Sequence, residues 1–153
     1  MLGKIWALLN LTAVIGAALA AFLAPRVRRD WLLAVIALWR GAFLAAAAAA
    51  TRFTPVVGWL LLYEAGVAAS EPIKNAWMNE HVRSELRATV LSVQGMSFTL
   101  GGALGLVMLG LLARSTTIPT AWAVAAAIFI GIAPGFLWLG GVADREDAAA
   151  LER

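Results

Sequence analysis

The sequence predicts an all-α, polytopic membrane protein with five transmembrane helices. Of the 153 residues, 62% are hydrophobic and 14% are charged, whereas soluble domains have about 45–50% apolar and about 25% charged residues. The apolar residues fall into long blocks and not into the one-faced stripes of soluble helices. About 20 such residues span the ~30 Å hydrocarbon core of a bilayer. The lipid bilayer is therefore the expected surrounding of most of the chain.

Five apolar blocks, each close to or above that length, define the predicted helices. Helices are expected because the blocks lack the polar and apolar alternation of barrel strands, and because unpaired backbone groups are costly in lipid. The predicted helices cover residues 5–24, 31–50, 55–79, 88–113 and 118–141. They form one bundle over residues 1–143. The charged residues 144–153 form a cytoplasmic tail, expected as frayed helix or disorder.

The distribution of basic residues predicts the orientation of the five helices in the membrane. One side of the predicted bundle carries three Lys or Arg residues: Lys4, Arg52 and Arg114. The other side carries eight: Arg26, Arg28, Arg29, Lys74, Arg83, Arg87, Arg145 and Arg153. Because the more basic side stays in the cytoplasm, the N-terminus is predicted outside and the C-terminus inside.

The residue inventory argues against an enzyme. The chain has no Cys and a single His, His81, so thiolate metal sites, disulfides and most catalytic triads are excluded. We therefore expect no metal and no cofactor. The basic residues form no stripe with interleaved aromatics, so nucleic acid is not an expected partner either.

Arg40 and Glu64 are the strongest candidates for function. Each lies nine residues inside its block, and the two blocks enter the membrane from opposite sides, so both reach about 14 Å depth. A charge at that depth is costly and is expected to find a partner, so we predict an Arg40–Glu64 pair. Arg40 then anchors an anionic solute group, or Glu64 carries a proton, or the two form a fixed pair that sets helix packing.

Other polar residues in the spans are weaker candidates for a solute or ion pathway. Glu71 lies seven residues after Glu64, and either pairs locally with Lys74 or continues a polar track from Glu64 to Asn75. Asn10 and Gln94 are predicted to make interhelical hydrogen bonds, with solute contact as the alternative.

Glycine spacing predicts close helix contacts. The fourth block contains Gly101 and Gly105, and the fifth contains Gly131 and Gly135 around Pro134. Small residues at a spacing of four let helix backbones approach closely. Tight packing is the simpler expectation, and a moving interface is the alternative.

The segment 71–92, above all Arg87-Ala-Thr-Val-Leu-Ser92, resembles the junction between the tenth and eleventh helices of major facilitator superfamily transporters, in particular bacterial drug-efflux-like members. Residues 23–29, Leu-Ala-Pro-Arg-Val-Arg-Arg, resemble the basic turn between the eighth and ninth helices, but Pro25 replaces the acidic residue and the later glycine is missing. The resemblance assigns Arg87 to the cytoplasmic end of the eleventh helix. Arg26, Arg28, Arg29, Arg83 and Arg87 then act in cytoplasmic gating or headgroup contact, or only set the topology.

The resemblance implies that the five blocks correspond to helices eight to twelve of a twelve-helix secondary transporter. Such a fold has two six-helix halves that rock around a midplane site. The expected function is transport of a small solute, with protons as a possible coupling ion, and the expected partner is the missing N-terminal half. The chain is then a fragment, the product of a truncated gene, or one completed by another subunit. A small non-transporting membrane subunit or scaffold is the alternative.

Overall fold

A computed structural model describes residues 2–82 and 84–151, and these residues form five α-helices without a strand. All five helices contain a segment long and apolar enough to cross a membrane. The predicted all-α fold class is therefore confirmed. The helices are α1 (Leu2–Leu23), α2 (Arg29–Ala49), α3 (Phe53–His81), α4 (Arg87–Ser115) and α5 (Ile118–Leu151).

The predicted helix ends agree with the structure within three residues at nine of ten positions, and the exception is the end of α5. This helix continues to Leu151, so residues 144–151 are helical, which is one of the two alternatives, frayed helix or disorder, predicted for the tail. The tail includes an alanine run, and Ala has the highest helix propensity of all residues. The charged residues of this segment therefore do not end the helix.

Helix α2 is central in the bundle, because it packs against both α3 and α5. Small residues make its contact with α5 close: Ala34 and Ala37 are buried with Ala133. Farther along α2, an added Cβ at Gly41 would lie 3.0 Å from the carbonyl oxygen of Ala126. The Ala-rich half of α2 thus serves to bring two helix backbones together.

Helix α1 packs along α3, and Gly16 makes this contact possible. An ideal Cβ at Gly16 would lie only 2.1 Å from the carbonyl oxygen of Ala65, so the two backbones meet there directly. A small buried cluster of Ala20, Leu32 and Ile73 joins α1, α2 and α3.

Helix α4 is almost unpacked within this chain. None of its 29 residues, all of them described, is buried, and its packing partner is α5. Nothing lies within 4 Å of a Cβ added at Gly101, Gly105, Gly131 or Gly135. The prediction of close packing at these four glycines is therefore wrong within this chain. Glycine spacing shows where close approach is possible, but the bundle geometry uses Gly16 and Gly41 instead.

Candidate functional site

Arg40 lies near the middle of the spanning helix α2 and is half-buried between α3 and α5. Its guanidinium carbon lies 4.0 Å from the ring centroid of Phe129 and 5.2 Å from that of Tyr63. Nη2 donates a hydrogen bond of 3.0 Å to the Tyr63 hydroxyl. The two rings pack edge to face, 6.1 Å apart. Cation–π attraction and one hydrogen bond thus hold a positive charge inside the bundle.

The Nε donor of Arg40 is buried and has no hydrogen-bond partner. A guanidinium carries five N–H donors, and the described protein atoms accept one of them. A buried donor without a partner costs about 1–3 kcal/mol. Such a group is unusual in a folded protein, and among the described residues Nε of Arg40 is the buried side-chain nitrogen or oxygen atom that lacks a partner.

The predicted ion pair between Arg40 and Glu64 is not formed. Among the described residues, the guanidinium of Arg40 bonds to Tyr63 and has no carboxylate within 4.0 Å. Successive residues of a helix are rotated by about 100°. Tyr63 faces Arg40 and Ala65 lies against α1, so Glu64 occupies the face between these two contacts. Arg40 and Glu64 lie at similar positions along their helices, but Glu64 does not lie on the face of α3 that contacts Arg40.

Glu64 is half-buried within the spanning part of α3. Its carboxylate makes no hydrogen bond or ion pair with any residue that the structure describes. Arg40 and Glu64 are therefore both partly buried charges on neighbouring helices, and neither neutralises the other.

Trp39 and Arg40 both pack against Gly66 of α3. An added Cβ at Gly66 would lie 2.9 Å from Cγ of Arg40 and 2.9 Å from Cδ1 of Trp39. The indole Nε1 of Trp39 donates a 2.8 Å hydrogen bond to the carbonyl oxygen of Leu62. Gly66 thus admits both side chains to the surface of α3 and positions Arg40 against Tyr63.

The local pair between Glu71 and Lys74 is confirmed. The Lys74 ammonium donates a hydrogen bond to the Glu71 carboxylate. It also lies 5.8 Å from the ring centroid of Phe98 on α4. Asn75 is exposed at the same end of α3. The alternative polar track from Glu64 through Glu71 is not needed to account for these residues.

Asn10 and Gln94 do not make the interhelical hydrogen bonds predicted for them. The amide of Asn10 donates to the Trp6 carbonyl oxygen one turn earlier in α1, at 2.8 Å. This local bond satisfies an amide on a helix surface without a neighbouring helix. Gln94 is half-buried and its side chain makes no hydrogen bond with any described residue.

The basic turn between α1 and α2 is organised by local contacts. Arg26 donates to the Phe22 carbonyl oxygen at 2.6 Å and its guanidinium lies 3.9 Å from the Phe22 ring centroid. Arg28 forms a bidentate ion pair with Asp30, at 3.2 and 3.0 Å. Arg29 and Arg87 are the first residues of α2 and α4, and Arg83 lies outside the described residues.

Sequence reasoning missed Tyr63 and Phe129, which supply the surroundings of Arg40. The signal for Tyr63 was available, because it is the only tyrosine of the chain and directly precedes Glu64. No such signal distinguished Phe129 from the five other phenylalanines.

Within residues 2–82 and 84–151, no group of three or more His, Cys, Asp or Glu side chains is arranged to hold a metal ion. Comparisons with protein-family models, with curated proteins and with solved structures found no match.

Proposed function

We propose that this protein takes part in the transport of a small solute across a membrane, as a portion of a secondary transporter of the major facilitator type. The observation that carries the proposal is the half-buried Arg40 in the middle of a spanning helix, with a buried Nε donor that has no partner. Charged residues within membrane spans are costly and usually mark solute or ion pathways. A purely structural arginine is expected to have its donors paired.

The geometry suggests different roles for the two midmembrane charges. Arg40 supplies a positive field that attracts an anionic group of the solute, because no described carboxylate neutralises it. Glu64 is the candidate proton carrier, since it is a half-buried carboxylate in the middle of a spanning segment and makes no hydrogen bond or ion pair with a described residue.

The proposed transporter needs further helices beyond these five, because alternating access requires two bundles that move around a shared site. Helix α4 supplies a face for them, since it has no buried residue. The open Gly101 and Gly105 positions on this helix permit the close approach of another membrane helix. The N-terminal half of such a transporter, or an equivalent subunit, is the proposed partner.

We place the protein in a bacterial plasma membrane with the N-terminus outside and the C-terminus in the cytoplasm. The support is the positive-inside rule, with eight basic residues on the proposed cytoplasmic side and three on the other.

Uptake into membrane vesicles tests this proposal. Membrane vesicles are prepared from the source organism with the protein overexpressed, so that the proposed partner is present. They are energised with a proton gradient and given radiolabelled lactate, succinate or benzoate. Arg40→Gln and Glu64→Gln are compared with two control variants. Arg52→Gln changes a charge in the turn between α2 and α3, and Glu71→Gln changes an exposed carboxylate that pairs with Lys74. We expect uptake above that of vesicles lacking the protein, lost in the first two variants and retained in the two controls.

Equal uptake by all four variants would contradict the roles of Arg40 and Glu64. A panel of solutes that all enter no faster than in vesicles without the protein would contradict transport itself.

The open face of α4 also favours a second function, that of a non-transporting membrane subunit or scaffold. In that case the protein co-purifies with a membrane complex and Gly101→Leu disrupts this association, while uptake is absent. A large side chain at Gly101 blocks close helix approach but leaves the five-helix bundle unchanged, since nothing lies near that position.

A further inference from the structure

A cavity of about 210 Å³ lies among α2, α3, α4 and α5. It lies at the end of the bundle that contains the start of α2 and the C-terminal part of α3, where Lys74 is located. Drug-sized ligands occupy pockets of about 300–1,000 Å³, so this cavity suits a smaller group. None of the residues around Arg40 lines it.

The cavity brings together one carboxylate, one ammonium and one amide from three helices: Asp30, Lys74 and Gln94. The Asp30 side chain is 13% exposed and that of Lys74 is 30% exposed. The Gln94 amide has no hydrogen-bond partner among the described residues. Opposite charges and an unpaired amide in one small cavity are a combination that recognises a polar ligand.

Both charged groups keep hydrogen-bonding capacity beyond their ion pairs. Asp30 accepts two bonds from Arg28, and a carboxylate has about four acceptor positions. Lys74 donates to Glu71, and an ammonium has three donors. Arg28 and Glu71 do not line the cavity, and their side chains are 55% and 52% exposed. Because one member of each pair is largely exposed, a ligand can add to these pairs or displace them.

The remaining walls of the cavity are apolar. Leu33 of α2 and both Phe136 and Leu139 of α5 supply them. Gly140 completes the wall, and a Cβ there would lie 2.3 Å from Oδ2 of Asp30. Glycine at this position therefore lets the Asp30 carboxylate reach the cavity from the start of α2.

We infer that this cavity binds a zwitterionic group with a small apolar body. Asp30 accepts hydrogen bonds from the ligand's ammonium, Lys74 and Gln94 donate to its carboxylate or phosphate, and the apolar body contacts the leucines and Phe136. A free amino acid and the headgroup of a zwitterionic lipid share this chemistry. The inference does not depend on the proposed role of Arg40, and binding at this cavity is measured without transport.

Protection of an introduced thiol tests the inference, since the chain has no cysteine of its own. Leu139→Cys places the reporter in the cavity wall and leaves all three polar groups intact. Trp138→Cys is the matched control, because the adjacent Trp138 is 70% exposed and does not line the cavity. The detergent-purified protein is labelled with N-ethylmaleimide in the presence of leucine, 3-methylbutylamine or 4-methylpentanoate.

We expect leucine to slow labelling of Leu139→Cys by the factor 1 + [L]/Kd, about 11-fold at ten times Kd. The amine and the acid alone are expected to have little effect, as is leucine on Trp138→Cys. Adding Asp30→Asn or Lys74→Gln to the reporter variant abolishes the protection, whereas Arg52→Gln at the opposite end leaves it. Size-exclusion chromatography verifies that each variant remains folded and monodisperse.

A second arm separates the two sources of the ligand. Protection by phosphatidylethanolamine, but by neither leucine nor phosphatidylglycerol, supports the same site with a lipid headgroup as occupant. The inference is overturned if neither leucine nor phosphatidylethanolamine protects. It is equally overturned if the amine alone protects as well as leucine, or if protection survives both charge substitutions.

Discussion

Replacing Gly16 by alanine tests how α1 is attached to the bundle. The new Cβ would lie 2.1 Å from the Ala65 carbonyl oxygen, 2.8 Å from its carbonyl carbon and 2.9 Å from its Cα. Side-chain Cβ atoms essentially never come closer than 3.0 Å to such atoms. The first contact must therefore lengthen by at least 0.9 Å, the difference between 3.0 and 2.1 Å. Because all three atoms belong to the backbone, no rotamer change relieves the clash and the two helices must separate.

The size of the effect follows from two opposing contributions. Overpacking of a close contact costs about 1–3 kcal/mol, and alanine in place of glycine stabilises a helix by about 1 kcal/mol. Since a backbone clash lies toward the upper part of that range, we expect Gly16→Ala to lower the free energy of unfolding by about 1–2 kcal/mol.

Gly101→Ala is the matched control, because nothing lies within 4 Å of its Cβ position in α4. Here only the helix propensity changes, so stability is expected to stay constant or to rise by up to about 1 kcal/mol. Both variants are unfolded reversibly by dodecyl sulfate in mixed micelles, with the fluorescence of the seven tryptophans as the signal. A Gly16→Ala protein as stable as the Gly101→Ala protein would refute the close α1–α3 contact.

Two further predictions concern the Arg40 site and the orientation. Tyr63→Phe removes the acceptor of the only hydrogen bond that Arg40 makes with a described residue. We therefore expect the free energy of unfolding to fall by about 1.5–3 kcal/mol in the same assay. A change below about 0.5 kcal/mol would show that the cation–π contacts alone stabilise Arg40. In intact cells, a membrane-impermeant maleimide is expected to label Thr51→Cys and not Val27→Cys, because the positive-inside rule places residue 27 in the cytoplasm. The reverse labelling pattern would contradict the proposed orientation.

The sequence alone was sufficient to predict the helices, because the cost of leaving backbone groups unpaired in a bilayer applies to each segment separately. A block such as residues 31–50 must be a helix in lipid whatever its neighbours are. Its ends are marked by the basic turn before it and by Pro55 soon after it. The close local pair of Glu71 and Lys74 was predictable for the same reason, since three-residue spacing in a helix brings side chains together.

The candidate site was predicted only in part. Position along α2 identified Arg40 as a charge near the middle of a segment long enough to span a membrane, since rise per residue is a property of one helix. Its partner depends on how α3 is rotated about its own axis. A rotation of α3 by about 100° about its axis would place Glu64 instead of Tyr63 opposite Arg40. No pattern of residues in this mostly apolar helix specified the angle of rotation.

The sequence by itself determined five helices, their approximate limits and the presence of charges in the middle of two apolar segments, because these follow from hydropathy and the geometry of single helices. Tertiary structure decided which helix faces meet. The close helix contacts are at Gly16 and Gly41 and not at Gly101 or Gly105. Tyr63 and Phe129 are the residues that contact the Arg40 guanidinium. The physical reason is that helix rotation depends on packing between helices. In a membrane, small and apolar residues occur on several faces of each helix, so composition alone does not select the contact face.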